Sequence, residues 1–261
     1  MKKLVLALTA VAAFTGSASA ADLGARPYAK APVAVAPAYN WTGFYIFGGG
    51  GGGIWAADQS VHDTGANVPL TIDQRQGGSG WFGTVGIGYD WQFNGPWVAG
   101  VFADGQFGSI RGTLQDPLDQ VTGTIKMQDA WAAGVRVGYL VAPNVLSYVN
   151  GGYSGSHWSG TTLLDLAGYP FGVHTDSFNR NGWFIGGGVE NNLDIFGITA
   201  PGWFMKTEYR SAFYERKSVP LLVDGTNALV NRDLRLNSWN QTISTSLVYR
   251  FNWGGSVVPR Y

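Results

Sequence analysis

The sequence predicts an all-β protein, an eight-stranded antiparallel up-and-down transmembrane β-barrel. Three observations lead to this fold: apolar and polar residues alternate, short and long connections alternate, and aromatic residues recur at a fixed spacing. A period of two is that of a β-strand with two unlike faces. In the segment 201–215 the two phases are Trp203, Met205, Tyr209 and Phe213 against Lys206, Glu208 and Arg210.

The composition suits a protein whose solvent is partly lipid. Glycine makes up 39 of 261 residues, aromatic residues 14% and charged residues 13%. Charged residues make up about 25% of a typical soluble domain. Apart from the first twenty residues, the chain lacks an apolar run of about 18 residues, so the sequence predicts no transmembrane helix. An all-β architecture is the remaining way to cross a membrane.

The first twenty residues are typical of a secretory signal, cleaved after Ala20. Lys2 and Lys3 precede the apolar stretch LVLALTAVAAF, which is too short to span a bilayer, and SASA ends the segment. The chain has no cysteine, which excludes disulfides and a lipoprotein anchor. Removing the two lysines leaves 15 basic and 17 acidic residues of the 17 and 17 in the whole chain. This balance lacks the excess of basic residues that nucleic-acid binding requires.

The remaining chain divides into three predicted parts. Residues 21–39 are rich in proline and alanine and are expected to form an extended periplasmic linker. The barrel is expected over 40–253, and 254–261 form a short tail. The eight predicted strands are 41–55, 80–93, 96–109, 125–141, 145–155, 182–193, 202–214 and 238–253.

The connections between these strands alternate in length. Asn94-Gly95-Pro96 is a strong hairpin signal, and the turns near 142–144 and 194–202 are also short. The other connections are long and polar: 56–79, 110–124, 156–181 and 215–237. Short turns at one end and long loops at the other are typical of a bacterial outer-membrane barrel.

Aromatic residues ten positions apart decide which face meets lipid. Ten residues at about 3.3 Å each, tilted by about 40°, span about 25 Å, the height of a barrel's lipid-facing band. The apolar face of the strands should therefore point outward and contact lipid. The paired aromatics of this predicted girdle are Trp81 and Trp91, Trp97 and Phe107, Trp203 and Phe213, and Trp239 and Tyr249.

The opposite face should then line the lumen. Charges enclosed in a barrel must be paired, and this face carries four acids and four bases. An eight-stranded barrel is just wide enough for side chains to fill it, so we expect a salt-bridged plug. The predicted lumen network comprises Asp90, Asp104, Arg136, Glu190, Lys206, Glu208, Arg210 and Arg250. Strands one and five are too glycine-rich or too mixed to test this assignment.

Three motifs, ADLGARPYAKAP, YNWTGFYIFGG and VYRFNWGG, resemble the small outer-membrane β-barrel proteins of rhizobial and related alphaproteobacteria. These surface antigens are grouped with the OmpA transmembrane domain and labelled "porin family". The resemblance implies an abundant envelope protein that supports membrane integrity and is exposed as an antigen, and we expect the barrel to be a monomer. It brings no catalytic residue, cofactor or metal site. Its expected partners are outer-membrane lipids, including lipopolysaccharide, and the barrel-assembly machinery during insertion.

Two alternatives remain open at this stage. A narrow porin would pass small solutes through the lumen. A lipid A-modifying hydrolase would use His157 and Ser159, two residues apart, with Asp165 as the nearest acid. The glycine run at 48–53 contains a formal G-x-G-x-x-G, but it lies inside a predicted strand without the following lysine or helix of a nucleotide site. These glycines are expected to let a small barrel close.

Overall fold

Eight long antiparallel strands form a closed ring. The structure, a computed structural model, describes residues 39–195 and 198–251, with side chains left out from 194 to 199. The ring runs in chain order and closes where its first strand pairs with its last, which confirms the predicted fold class. In the described part of the chain, no helix is long and apolar enough to cross a membrane. The ring strands are β1 (Gly43–Asp63), β2 (Gln74–Phe93), β3 (Trp97–Asp116), β4 (Val121–Ala142), β5 (Val145–Trp158), β8 (Phe178–Ile195), β9 (Ile198–Tyr214) and β11 (Leu229–Arg250).

The short turns lie at one end of the ring and the longer connections at the other. Asn94, Gly95 and Pro96 join β2 to β3, and the first two have positive φ, 44° and 75°. This conformation fits the right-handed twist of a hairpin. At the opposite end, three short strands lie within the connections: β6 (Thr161–Leu164), β7 (Pro170–Thr175) and β10 (Lys217–Val223). They pair with one another and with β4 and β11.

The predicted strand bounds were wrong at the loop end. Most of 56–79 and 110–124, assigned to loops, is strand: β1 runs on to Asp63, and β3 and β4 are joined only by 117–120. β11 begins at Leu229, ten residues before Trp239. The polar character of these stretches is real, but it belongs to the outer face of strands that continue past the aromatic residues.

Aromatic side chains form two belts on the outside of the ring. The rings of Trp183 and Phe213 lie 4.5 Å apart at the loop end, and those of Trp203 and Tyr249 lie 5.1 Å apart at the turn end. Between the belts, aliphatic side chains such as Val85 and Ile87 face outward and are more than half exposed. This is the surface of a membrane-spanning barrel.

The inside–outside pattern reverses at the loop-end belt. Below the belt on β3, Val101 faces outward and Asp104 inward; above it, Arg111 and Gln115 face outward while Leu114 is buried. The crown, as we call the part of the ring beyond this belt, is thus built like a water-soluble barrel. Its apolar core includes Trp55, Ile110, Leu114, Ile125, Trp158, Leu163, Phe178, Leu221, Leu234 and Leu236.

The glycine run of β1 has two different faces. A Cβ at the inward-facing Gly49 or Gly51 would come within 2.1 Å of a β11 carbonyl oxygen, so a side chain is excluded there. A Cβ at the outward-facing Gly48 or Gly52 would meet nothing closer than 3.6 Å. Close packing at the ring seam therefore explains only the inward glycines.

Several predictions lie outside the described residues: the signal segment and its cleavage after Ala20, most of the linker over 21–39, and the tail. Tyr39, predicted to end the linker, is described. Its ring packs edge-on against Phe204 at 4.9 Å and against Trp41 at 5.9 Å. It therefore lies against buried side chains of the ring.

Candidate functional site in the lumen

Four charged side chains form a closed ionic ring near the turn end of the lumen. Asp90 and Glu190 are 0% exposed, and each is bonded to both Arg136 and Arg250. Arg136 binds Asp90 with two hydrogen bonds, from Nε at 2.9 Å and from Nη2. Arg250 donates from Nε to Glu190 at 2.7 Å. Acids and bases alternate around this ring, so its formal charge is zero.

Aromatic rings enclose the two guanidinium groups. The Arg136 guanidinium lies 4.4 Å from the centre of the Tyr45 ring, and Arg250 lies 4.5 Å from the Trp41 ring and 4.8 Å from the Tyr45 ring. Arginine stacks well on aromatic faces because it is planar and weakly hydrated. These rings shield the ion pairs from water. The ion pairs connect side chains of β2, β4, β8 and β11 across the lumen.

The second ionic cluster surrounds Glu208, nearer the middle of the barrel. Arg210 donates to Asp104 through Nη1 at 3.0 Å and Nη2 at 2.7 Å, and to Glu208 at 2.7 Å. Glu208 also accepts hydrogen bonds from Tyr148 at 2.8 Å and from Asn150 at 3.0 Å. The cluster again holds two acids and two bases, since the Lys206 ammonium lies 3.8 Å from Glu208.

Tyr148 connects the two clusters. Its hydroxyl donates to Glu208 in one, and its ring lies 5.0 Å from the Arg136 guanidinium of the other. Above the second cluster, a void of about 10 Å³ is lined by polar groups that include Gln106, Ser154 and Asn240. That is the size of about one water molecule. The apolar core of the crown lies beyond it.

All eight residues of the predicted lumen network lie inside the ring and are buried. The structure supplies the partners that the sequence left open. Arg136 binds Asp90 and Glu190, whereas Glu208 binds Arg210 and lies beside Lys206. All eight girdle residues, Trp81, Trp91, Trp97, Phe107, Trp203, Phe213, Trp239 and Tyr249, lie in the outward-facing phase.

The sequence did not identify the aromatic side chains inside the lumen. Tyr45 and Phe47 lie on β1, where the glycine run hides the alternation, and Tyr148 lies on β5, whose phase was ambiguous. One signal in the sequence could have located them: Tyr45, Phe47 and Trp55 lie at alternate positions of β1 and therefore on the same face of the strand. All three are buried.

The residues of the hydrolase alternative are engaged elsewhere. The Ser159 hydroxyl accepts from the Lys126 backbone N–H at 3.0 Å, and His157 Nδ1 bonds to Asn179 at 2.6 Å. Asp165 accepts from backbone N–H groups of its own turn, at Ala167 and Tyr169. The three do not form a relay. Within residues 39–195 and 198–251, His, Asp and Glu do not gather in groups of three that could hold a metal ion.

The carboxyl group of Asp116, in the crown, has a pKa above its ordinary value. Burial raises the pKa of Asp116 at the end of β3, and neighbouring Asp119 adds to the effect; a hydrogen bond from the Leu118 N–H and the charge of Arg232 oppose it. Asp116 Oδ1 accepts from Leu118 at 2.9 Å, whereas Oδ2 is buried without a hydrogen bond, 3.8 Å from Arg232 Nη1.

Acid should therefore stabilise the β3–β4 turn. A carboxyl with a raised pKa binds more protons folded than open, so stability rises as pH falls through its folded pKa and is complete below its ordinary value. Hydrogen exchange of residues 112–125, corrected for intrinsic rates, should show stronger protection at mildly acid pH than at neutral pH. Asp116→Asn should lose this dependence; a variant that keeps the parent's pH response would contradict the assignment.

A closed ring with an apolar belt outside and neutralised charges inside defines a class of protein, the membrane-spanning β-barrel. Residues 6–251 match the family described as the outer membrane protein beta-barrel domain, and the chain belongs to that family. It is a protein of the bacterial outer membrane.

Named relatives and a solved structure agree with this assignment. The chain is 28% identical over 256 residues to the 31 kDa outer-membrane immunogenic protein of Brucella melitensis, covering 96% of this chain and all of the relative. The protein of the same name from Brucella suis matches equally. The crystal structure of the outer membrane protein OprG from Pseudomonas aeruginosa matches with a TM-score of 0.53 at 12% identity, covering 81% of this chain and 98% of OprG. At that identity the likeness concerns the fold alone.

Proposed function

We propose that the protein is a non-catalytic structural and surface barrel: a side-chain-filled cylinder that supports the envelope and presents its loops outside the cell. Both termini would then be periplasmic. The observation that carries this proposal is the pair of neutral, ion-paired clusters that cross the lumen beneath an apolar crown core. Such a lumen ties the strands together and leaves an ion neither free charges nor a water-filled path.

The loop end supports the surface role. Large apolar side chains are exposed on all four connections there, which is unusual for residues facing only water. Ile72 is 83% exposed and Leu166 82%. The other exposed side chains on these connections are Val68, Leu70, Leu118, Tyr169, Phe171 and Val223, and Leu229 is exposed where β11 begins. Exposed apolar patches mark contacts with other molecules, and the immunogenic name of the Brucella relatives agrees with an accessible surface.

Single-channel recording tests this proposal against the porin alternative. The purified full chain, reconstituted in a planar bilayer, should show no steady conductance above leak. Electrophoretic mobility before and after boiling provides the control for folding, because a closed barrel migrates anomalously until it is heated. A steady conductance well above leak from a heat-modifiable preparation would overturn the filled-lumen proposal.

A further inference from the structure

Two cations lie directly opposite each other on the outer wall, just beyond the loop-end aromatic belt. Arg111 of β3 pairs in register with Lys126 of β4, and both side chains belong to the outward-facing phase. Like charges directly opposite on neighbouring strands are destabilising. In the described part of the chain, neither has a carboxylate within 4 Å. The Arg111 Nε donates only to Ser109 at 3.0 Å.

The acid nearest in the register does not neutralise them. Asp129 lies beside Phe107, within the aromatic belt, and makes no ion pair with either cation. Another arginine on the outer surface of the barrel, by contrast, has both an ion-pair partner and an aromatic contact. Arg75 bonds to Asp58 at 3.3 Å and lies 4.9 Å from the Trp239 ring. The Arg111–Lys126 pair is therefore a local positive site at the level of lipid headgroups.

An apolar groove adjoins this positive site. It has a volume of about 510 Å³ and lies across the seam of the ring, with the outward-facing Gly52 in its floor. Trp81, 80% exposed, stands at its edge. Ser79 lines the groove and pairs in register with Arg111, which places the cations one strand away. The other lining side chains are Ile54, Tyr209, Gln241, Thr242 and Ile243.

Nothing in the backbone requires glycine at the groove floor. Gly52 does not have a positive φ, and a Cβ there would make ordinary contact with Trp81 at 3.6 Å. On a lipid-facing strand a larger side chain would add β-propensity and packing. The groove lies at the loop-end belt, and the side of it formed by Gly52 and Ile243 extends toward the acyl chains.

We propose that Arg111, Lys126 and this groove form a binding site for a phosphorylated lipid of the outer leaflet. The two cations would bracket one headgroup phosphate, because directly opposed side chains on neighbouring strands are about 5 Å apart at Cβ. An acyl chain of the same lipid would fill the groove beside Trp81. This inference rests on the proposed orientation, with the loop end outside, and is independent of whether the lumen conducts.

Native mass spectrometry of the full-length barrel in detergent tests the site with lipid A, the phosphorylated glycolipid of the outer leaflet, as the probe. The double variant Arg111→Gln/Lys126→Gln should weaken lipid A binding about tenfold or more, since two charge-assisted contacts are lost. Arg75→Gln, which removes a paired cation from the same wall, should leave the affinity within about twofold.

The groove needs its own pair of variants. Gly52→Leu fills the groove and should also weaken lipid A binding, whereas Gly48→Leu, on the same outward stripe but outside the groove, should not. Lipid A stripped of its phosphates should bind the parent as weakly as intact lipid A binds the double variant. Inorganic phosphate alone should not compete, because the acyl contact is part of the site.

Three results would overturn the inference. The double variant could bind lipid A like the parent, the dephosphorylated lipid could bind as tightly as the intact one, or the parent could prove to be a dimer that Gly52→Leu converts to monomers. Conductance of the same preparations is recorded separately. A barrel that does not conduct and binds intact and dephosphorylated lipid A equally well would refute the lipid site but leave the proposed function standing. A barrel that conducts and binds intact lipid A more tightly would refute the filled lumen but support the lipid site.

Discussion

Replacing Arg136 with methionine is expected to lower the free energy of unfolding of the barrel by about 3–5 kcal/mol. Asp90 and Glu190 are completely buried, and each bonds to Arg136 and to Arg250. Without Arg136, the two carboxylates share one guanidinium and keep a net negative charge inside the lumen. Methionine is chosen because it keeps most of the side-chain volume but donates no hydrogen bond.

A second variant separates the charge from the loss of packing. Asp90→Asn/Arg136→Met removes one acid and one base together and leaves the Glu190–Arg250 pair intact. It should recover more than half of the stability lost in Arg136→Met, because no unpaired carboxylate remains. Together with the single variant Asp90→Asn, these two variants complete a double-mutant cycle that measures the coupling energy.

Urea unfolding in lipid vesicles, followed by tryptophan fluorescence, provides the measurement. Arg75→Met serves as the control, since Arg75 lies in the crown, is exposed and bonds to the partly exposed Asp58 at 3.3 Å. Breaking such an exposed pair should cost no more than about 1 kcal/mol. If Arg136→Met were as mild as Arg75→Met, the ionic ring would contribute little to the stability of the barrel.

Introducing a charge on the lipid face is the second large effect. Val85→Arg is expected to cost about 2–4 kcal/mol, because Val85 lies midway between Trp81 and Trp91 on β2 and its side chain points outward, 56% exposed. A guanidinium at the bilayer midplane cannot reach water without thinning the membrane or distorting the strand. Ala99→Arg, on the same face of β3 but in register with Trp91 of the turn-end belt, should cost less, about 0–1 kcal/mol.

Asn237→Arg is the matched control for this experiment. Asn237 is exposed on the outer face of β11, two residues beyond Trp239 and therefore in the crown. Arginine there meets water, so the change should stay within about 0.5 kcal/mol. The same urea titration reads out all three variants. Val85→Arg folding and inserting like the parent would show that the outward face does not contact lipid.

The membrane-facing surface was predictable because its pattern is local. Strand rise, strand tilt and bilayer thickness together set the ten-residue distance from Trp81 to Trp91 and from Trp203 to Phe213. The opposite phase then had to be the lumen, which located the charges of β9 without any long-range information. The same rule was silent on β1, because Gly48–Gly53 carry no side chains to alternate.

The crown was missed because its pattern is inverted. On β3 the outward residues change from Phe107 to Arg111 at the aromatic belt, while the inward ones change from Gln106 to Ile110. If a strand is expected to end at the membrane surface, a stretch whose outward residues are polar or small is interpreted as a loop. Water replaces lipid as the outer solvent there, so the apolar residues move to the inside.

The sequence by itself determined that this chain is a β-barrel of the outer membrane, which face meets lipid and which charged residues line the lumen, because those properties follow from side-chain alternation and strand length. The tertiary structure decided which charges meet. Arg136 and Glu190 are 54 residues apart, and Arg210 and Asp104 are 106 apart. Their contacts depend on the register with which the ring closes, and closure is a property of all eight strands together.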